Sequence, residues 1–434
     1  GDAYINLDTA GFAAPLSINL QLGLLESGIL TLTNLAGLLV GIFLYHKFKT
    51  IKIYALMLYL VLIMGINGLV MTRDLFNIFV FLEIVSISTY ALISLDKHRK
   101  SFSAGFKYMM AGGITSTFFL LGIIFVYYFT GHLNIDTIIR TTPPLIFKTG
   151  IFAAFLLLIS IFIELKPFPA NGWALDVYEA VNSGFVSIIA VVNSAAILFV
   201  FYKLIPIFPA EYLQFFTAAG ILTFLFSNFL GLKQTKAKRL LGYSSIAQMG
   251  LVVAAISYTT RINLSPSLSI VIAGGIFVNH FFTKASLFML TGIVKKKRIK
   301  DWHLLRNNIP LLILFGISLF ALAGLPPFPG FLAKWEMAKV FVTNKFFIGL
   351  AAILLGSLFE AYYLLRWFGL SIRKTKTASN LIKIRYSRII PISLLLLFFF
   401  VISILIISHI YDLQFINYLP LIVVLLLNLI NSIN

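Results

Sequence analysis

The chain has 434 residues, 60% of them hydrophobic and 11% charged, with a mean hydropathy of +0.98 and a formal net charge of +19. No single globular core could hide that much apolar side chain, so a water-soluble fold is excluded. The apolar runs are long enough for helices of about 20 residues and lack the alternation of barrel strands, which excludes an outer-membrane barrel. With no cysteine, disulfides, thiolate metal sites and iron-sulfur ligation within this chain are ruled out.

The sequence opens with GDAYINLDTAGF, which has neither an initiating Met nor a signal-peptide pattern; leading residues or helices are expected to precede it. Helical spans are predicted at 24–45, 51–71, 74–95, 104–129, 147–166, 184–206, 211–232, 244–259, 267–294, 309–333, 346–369 and 387–410, with a marginal one at 418–433. The fold class is therefore an all-α integral membrane protein of about 12–14 transmembrane helices. Placing the loops alternately on two sides puts 24 of the 34 Lys and Arg on one side, in or near 47–52, 97–107, 233–239, 295–306 and 366–388. Six fall on the other side (Arg73, Arg140, Lys148, Lys203, Arg261 and Lys345) and four lie in or beside helices. By the positive-inside rule the basic side is cytoplasmic, so the surplus charge is a topology signal and no nucleic-acid partner is expected.

Two proline-rich breaks interrupt apolar runs, LKPFP at 165–169 and LPPFP at 325–329. Proline removes a backbone donor and clashes with the preceding turn, so Pro167, Pro169, Pro326, Pro327 and Pro329 mark helices broken at membrane depth. Similar tails come after them, NGWALDVYEA and GFLAKWEMA. Each break falls in the fourth helix of a five-helix unit, and the two units start from opposite sides, as in an inverted repeat. The expected organisation is an N-terminal extracytoplasmic segment and first helix (1–50), a first repeat (51–208), a second repeat (209–370), and a basic cytoplasmic link with C-terminal helices (371–434). The plain alternative, structural kinks, does not account for a lysine beside each break.

Charges inside the spans are the candidate site. A charge at the bilayer centre costs about 2.5 to 3.5 kcal/mol or more and needs a partner or a wet cavity. Glu83 and Lys284 lie mid-span, Lys166 ends FLLLISIFIELK, Lys334 follows the second break, and Glu360 lies in GSLFEAYYLLRW. His280 precedes Lys284 by one helical turn, so both share a face. Structural readings compete with each: an ion pair for Glu83 or Lys284, snorkelling for Lys166 and Lys334, a packing role for His280, local satisfaction of the break for Glu164. Glu336 and Lys339 are read at the membrane surface. The chemistry such groups support is protonation switching: moving Glu83 relative to Lys166 would change whether the lysine holds its proton, and the pair would titrate together. Joined by water, Lys166, Lys284, His280 and Lys334 would form a lateral relay.

The runs DLFNIFVFLEIVSISTYALI, FKYMMAGGITSTFFLLG, KPFPANGWALDVYEA, KRLLGYSSIAQMG, NHFFTKASLFMLTG and LAGLPPFPGFLAKWE resemble, in order over 50–370, the antiporter-like subunits shared by respiratory complex I, Mrp-type cation/proton antiporters and membrane-bound hydrogenases. KRLLGYSSIAQMG, taken as joining two helices, carries the resemblance most strongly. The resemblance implies a 14-helix fold with two inverted five-helix units and one or two helices before residue 1. On its pattern Glu83 is the family glutamate, Lys166 the first-unit lysine it gates, Lys284 the second-unit lysine, His280 the histidine one turn before it, and Lys334 the lysine near the second break. It also implies partners: other hydrophobic membrane subunits, a peripheral redox arm holding the iron-sulfur clusters, and protons or Na+ as the moved ion, in lipid of a prokaryotic cell membrane.

Two departures are visible. Where the family's helix after the first break carries His and Lys, this chain reads VSIIAVVNSAAILF, with Val191 and Ile197 at the matching places and Asn193 and Ser194 as polar substitutes. No long amphipathic helix follows the last spans, which favours likeness to the proximal complex I subunit, the Mrp D subunit, or the hydrogenase and sulfur-reductase homologues. Three functions are then open: an ion-translocating subunit of a redox-driven complex, a subunit of a secondary Na+/H+ antiporter, or a structural adaptor with one inactive half. No nucleophile triad, phosphate loop or metal cluster points to an independent enzyme.

Overall fold

The computed structural model describes residues 4–410, apart from 10, 13–16, 52, 96–97, 142–147 and 375–384; the marginal span at 418–433 lies outside the described residues. A hairpin that the sequence reading lacks opens the chain: β1 (Ile5–Asp8) pairs antiparallel with β2 (Asn19–Leu22), Ile5 opposite Leu22. The remaining regular structure among the described residues is helical.

The first helices are α1 (Leu24–Ile51), α2 (Ile53–Met71), α3 (Leu75–Ser94), α4 (Arg99–Thr130) and a short α5 (Ile135–Thr141). The α3 start is set by Asp74, whose carboxylate accepts from the Asn77 amide at 2.8 Å, the side-chain cap that supplies a partner for an orphan donor. The first broken span is α6 (Lys148–Glu164) and α7 (Gly172–Ala180). Next, α8 (Ser183–Ser187) and α9 (Ser194–Leu204) flank a π turn at Ile188–Asn193. Then come α10 (Leu213–Gly231), α11 (Ala237–Arg261), and α12 (Pro266–Ser269) and α13 (Gly275–Val294) around a π turn at Ile270–Gly274; here the broken pair, α14 (Ile309–Ala323) and α15 (Pro329–Thr343), follows the π turn instead of preceding it, and α16 (Phe347–Ile372) comes after it. The last described helix is α17 (Tyr386–Ile410).

Among the described residues ten helices are long and apolar enough to cross a membrane, and the first halves of the two broken spans add shorter apolar helices. The chain is a multi-pass, all-α membrane protein. Three expected boundaries change. The span at 309–333 is two helices, and the tails after both breaks are helical, because the prolines stop the first half yet Pro329 suits a first helical turn. KRLLGYSSIAQMG does not join two helices but lies wholly inside α11, whose start at Ala237 precedes the predicted 244. Arg99, not residue 104, begins α4.

Burial identifies the centre. The most apolar stretch of residues 183–207 is wholly buried and that of α11 is 94% buried, against 33% for α4 and 39% for α16. The helix with the first π turn and α11 therefore form the inner wall, and the outer helices present apolar faces outward. Helix α13 packs on α8 and on its π turn, fastened by a 2.8 Å hydrogen bond between the Ser183 and Thr291 hydroxyls and by Ser187 Oγ donating to the Ala285 carbonyl at 3.1 Å. The helices before and after the middle of the chain meet along this seam.

Candidate functional site

At the first break α6 ends on Glu164, and Lys166 takes the left-handed conformation, φ 66°. A left-handed residue is the usual way to leave a helix, but it is ordinarily glycine because a Cβ there is strained. Lys166 is 2% exposed; its Nζ donates to Ser194 Oγ at 3.1 Å and lies 5.9 Å from the centre of the Trp173 ring. Glu164, 3% exposed, accepts from the Tyr108 hydroxyl at 2.7 Å, and that hydroxyl in turn accepts from Asn193 Nδ2 at 3.2 Å. A π turn inserts an extra residue and re-aims the side chains beyond it. Here it ends at Asn193 and delivers Asn193 and Ser194 to the break, while Val191 and Ile197 stay buried among apolar groups.

Glu83 sits at the edge of this cluster, within electrostatic range of Glu164. It is half-buried, accepts a hydrogen bond from Ser116 of α4, and makes no ion pair with Lys166. The acidic neighbour of Lys166 is Glu164, which lies two residues away across the end of α6. The direct Glu83 to Lys166 pairing anticipated from the sequence is absent from this conformation, because Lys166 turns inward on its left-handed backbone toward Ser194.

The second break is built otherwise. Gly324 supplies the left-handed residue, φ 73°, and the charge lies beyond the prolines on α15. Lys334 Nζ pairs with Glu360 of α16 at 3.2 Å. Glu360 is fully buried and also accepts from Ser244 Oγ at 2.7 Å and Gln248 Nε2 at 2.5 Å. Ser244 and Gln248 are one turn apart on α11, so the SSIAQ segment presents two donors on one face. The sequence identified Lys334 and Glu360 separately; the fold makes them one charge-balanced unit.

Between these clusters lie His280 and Lys284 on α13, 1% and 0% exposed. Lys284 Nζ has a single partner among the described residues, the Leu241 carbonyl of α11 at 3.3 Å, and lies within electrostatic range of Glu360 and Lys334. His280 is in electrostatic range of both Lys284 and Lys166, faces the Ala190 backbone of the first π turn, and neither of its ring nitrogens meets hydrogen-bond geometry with a protein group. Buried polar atoms are nearly always satisfied by protein or water. The Oδ1 atoms of Asn193 and Asn279 and the hydroxyl of Ser286 are likewise buried without a protein partner, so polar atoms in need of water line the seam beside His280.

Sequence reasoning missed several participants. Tyr108, Ser244 and Gln248 carry no charge and cannot be distinguished from packing residues without knowing what faces them. Lys203, assigned to a loop, is 3% exposed and donates to the carbonyls of Leu69 (2.7 Å), Val70 (3.1 Å) and Thr72 (2.7 Å). It closes the carbonyl end of α2, a structural role for a cation at a helix C-terminus. Lys339 and Glu336 pair with each other at 2.7 Å, with the lysine 55% exposed.

Comparison with known proteins agrees with the fold. Residues 72–360 match a family described as NADH:quinone oxidoreductase/Mrp antiporter, transmembrane. The chain is 28% identical to the N subunit of the NADH-quinone oxidoreductase of Desulforudis audaxviator, over 82% of this chain and 73% of that protein. It is 27% identical to the D subunit of the Na(+)/H(+) antiporter of Alkalihalophilus pseudofirmus, over 82% and 75%. Among solved structures, a chain of the membrane-bound sulfane sulfur reductase, an archaeal respiratory membrane complex, superposes with a TM-score of 0.83 at 26% identity, covering 94% of this chain and 84% of that one.

Proposed function

The chain belongs to the NADH:quinone oxidoreductase/Mrp antiporter transmembrane family, and from that membership and its buried charges we propose that it is the ion-translocating, antiporter-like membrane subunit of a redox-driven respiratory complex. The observation that carries the proposal is Lys284: a fully buried amine in a membrane helix, held by one main-chain carbonyl, with an unsatisfied histidine one turn away. Ionisable groups at such depth mark ion pathways.

In this reading a proton, or a sodium ion that displaces one, enters the second unit near Lys284. Glu360 competes for two cations, Lys334 at ion-pair distance and Lys284 farther off. If Lys334 turns away, Glu360 favours the charged form of Lys284; when the pair closes, Lys284 is left to release its proton toward His280. Water along the unsatisfied atoms of the seam passes it to Lys166, where Glu164 offers the counter-charge. Glu83, at the edge of the cluster, acts on a later step or in another conformation. Electron transfer, and the iron-sulfur clusters it requires, belong to a peripheral redox arm of partner subunits. The location is the cytoplasmic membrane of a prokaryotic cell with the basic end inward. Its support is that the basic ends of α1, α4, α11, α13 and α17 border one cavity and so share one face of the fold.

The structural-adaptor reading has one observation in its favour, the fully buried Val191 and Ile197 where the family carries titratable groups. Asn193 and Ser194, delivered by the π turn, answer it in part. The test is turnover-driven ion uptake by the purified assembly in proteoliposomes. Loss of uptake with Lys284→Met supports translocation through this subunit, and indifference to both Lys284→Met and Lys166→Met sinks it. Uptake driven by a sodium gradient in an assembly without iron would favour the secondary-antiporter alternative.

A further inference from the structure

A dense cluster of positive charge lies away from Lys166, Lys284 and Lys334. A cavity of about 1400 Å³ opens at the basic end, bordered by the end of α1, the start of α4, α7, the start of α11, the end of α13 and the start of α17. Eleven Lys and Arg side chains border it against two carboxylates, Asp176 and Glu179. Both carboxylates are already engaged: Asp176 by Lys107 at 2.5 Å and Arg239 at 3.0 Å, Glu179 by Arg239 at 3.2 Å and by Lys236. Among the described residues Arg99, Lys100, Lys296, Lys297, Arg385 and Arg388 have no acidic partner. The floor is apolar, with Phe43 5% and Leu44 2% exposed, and the Arg388 guanidinium sits 5.7 Å from the Phe43 ring centre with its Nε unpartnered.

Exposed lysines on separate loops would spread into solvent and lower their mutual repulsion. Here three separate chain segments bring unpaired cations to one concave site above buried apolar side chains. A fork-shaped guanidinium matches a phosphate oxygen pair. The volume exceeds what a free phosphate fills, and a basic pocket between helix ends at a membrane surface suits an anionic headgroup. We propose that this cavity binds the phosphate headgroup of an anionic phospholipid, with Arg385 and Arg388 as its principal contacts and Lys296 and Lys297 on the opposite wall.

The experiment is native mass spectrometry of the full chain, purified in its native assembly and titrated with phosphatidylglycerol or phosphatidylcholine. The expected result is a preference for phosphatidylglycerol of about tenfold or more, falling to near unity in Arg385→Gln/Arg388→Gln and in Lys296→Gln/Lys297→Gln. A control that removes the same charge at the other end, Arg140→Gln/Arg261→Gln, keeps the preference. Thermal unfolding of each variant without added lipid checks that it is folded. Equal retention by wild type and both cavity variants, or equal loss in the control, overturns the site. Displacement of phosphatidylglycerol by millimolar inorganic phosphate at unchanged total anion occupancy assigns the cavity to a free anion and overturns the lipid. Displacement by an acidic segment of a partner subunit overturns it too.

Discussion

The two proline breaks look alike in sequence and are built on opposite plans. At the first, the lysine is itself the left-handed residue at the break, with a hydroxyl as its hydrogen-bond partner and a carboxylate nearby that is bonded to Tyr108 and not to the lysine. At the second, a glycine takes the left-handed turn and the lysine, one turn into the next helix, is locked to a fully buried carboxylate. The first break holds a charge whose partner is negotiable; the second holds a neutralised pair. The two breaks therefore differ in how firmly each holds its lysine.

The largest effect should come from breaking the balanced side. Glu360→Gln leaves Lys334 without its charge partner in a buried setting, a loss of about 3 to 5 kcal/mol, read as a lowered thermal unfolding midpoint. Glu83→Gln, which keeps an acceptor for Ser116 and only makes one half-buried hydrogen bond neutral, should cost no more than about 1.5 kcal/mol; if the two variants match, the second break is not specially balanced. Next, Lys284→Met should cut ion uptake at fixed electron flux by on the order of tenfold or more, and the ratio of its effect to that of Lys166→Met measures how unequally the halves are used. Lys166→Gly sharpens the comparison of the breaks. Relief of the left-handed strain should return about 1 kcal/mol of stability relative to Lys166→Met, while uptake stays as low as in Lys166→Met.

The smallest effect concerns the ion network that ties α7 to α11. Burial opposes the charge of Asp176, but hydrogen bonds from Lys107 and Arg239 outweigh it and hold the carboxyl below its usual range. A lowered carboxyl contributes stability above its unfolded value, near pH 4, and loses it as the pH falls through the folded value. Asp176→Asn should therefore be slightly less stable than wild type at pH 7, with the gap closing only below about pH 4. A gap that closed between pH 5 and 7 would show that this partly exposed network does not hold the carboxylate down.

The features legible in the sequence were those that cost energy in a membrane. Mid-span charges and prolines are conspicuous there, so Lys166, Lys284, His280, Lys334, Glu360 and both breaks could be picked out unaided. Partner choice was not legible, since it depends on helix rotation and on which unit faces which. Lys334 and Glu360 are 26 residues apart on different helices, and only the fold pairs them. The π turn at Ile188–Asn193 leaves no clear mark in the sequence, yet it decides that Ser194 rather than Val191 meets Lys166. Lys203 was misplaced because a lysine near the end of an apolar run reads as a surface anchor, whereas here it turns inward to three carbonyls.

The second break also has a geometric tolerance. Asn279, one residue before His280, donates to the Ala321 carbonyl at 3.0 Å, a group at the end of α14 that also accepts from the Gly324 amide at 3.1 Å. The room for that contact exists because residue 330 is glycine; a Cβ there would lie 2.5 Å from Asn279 Nδ2.

Finally, the stacking of Trp173 on Tyr108, with ring centres 4.9 Å apart and planes 10° from parallel, places an indole beside the ammonium of Lys166. Of the four tryptophans, Trp302 and Trp367 are buried against each other and Trp335 is exposed on the outer surface. The molecule thus carries a native optical reporter: in a chain whose only remaining indole is Trp173, emission would follow the charge on Lys166 during turnover, without a dye or a label.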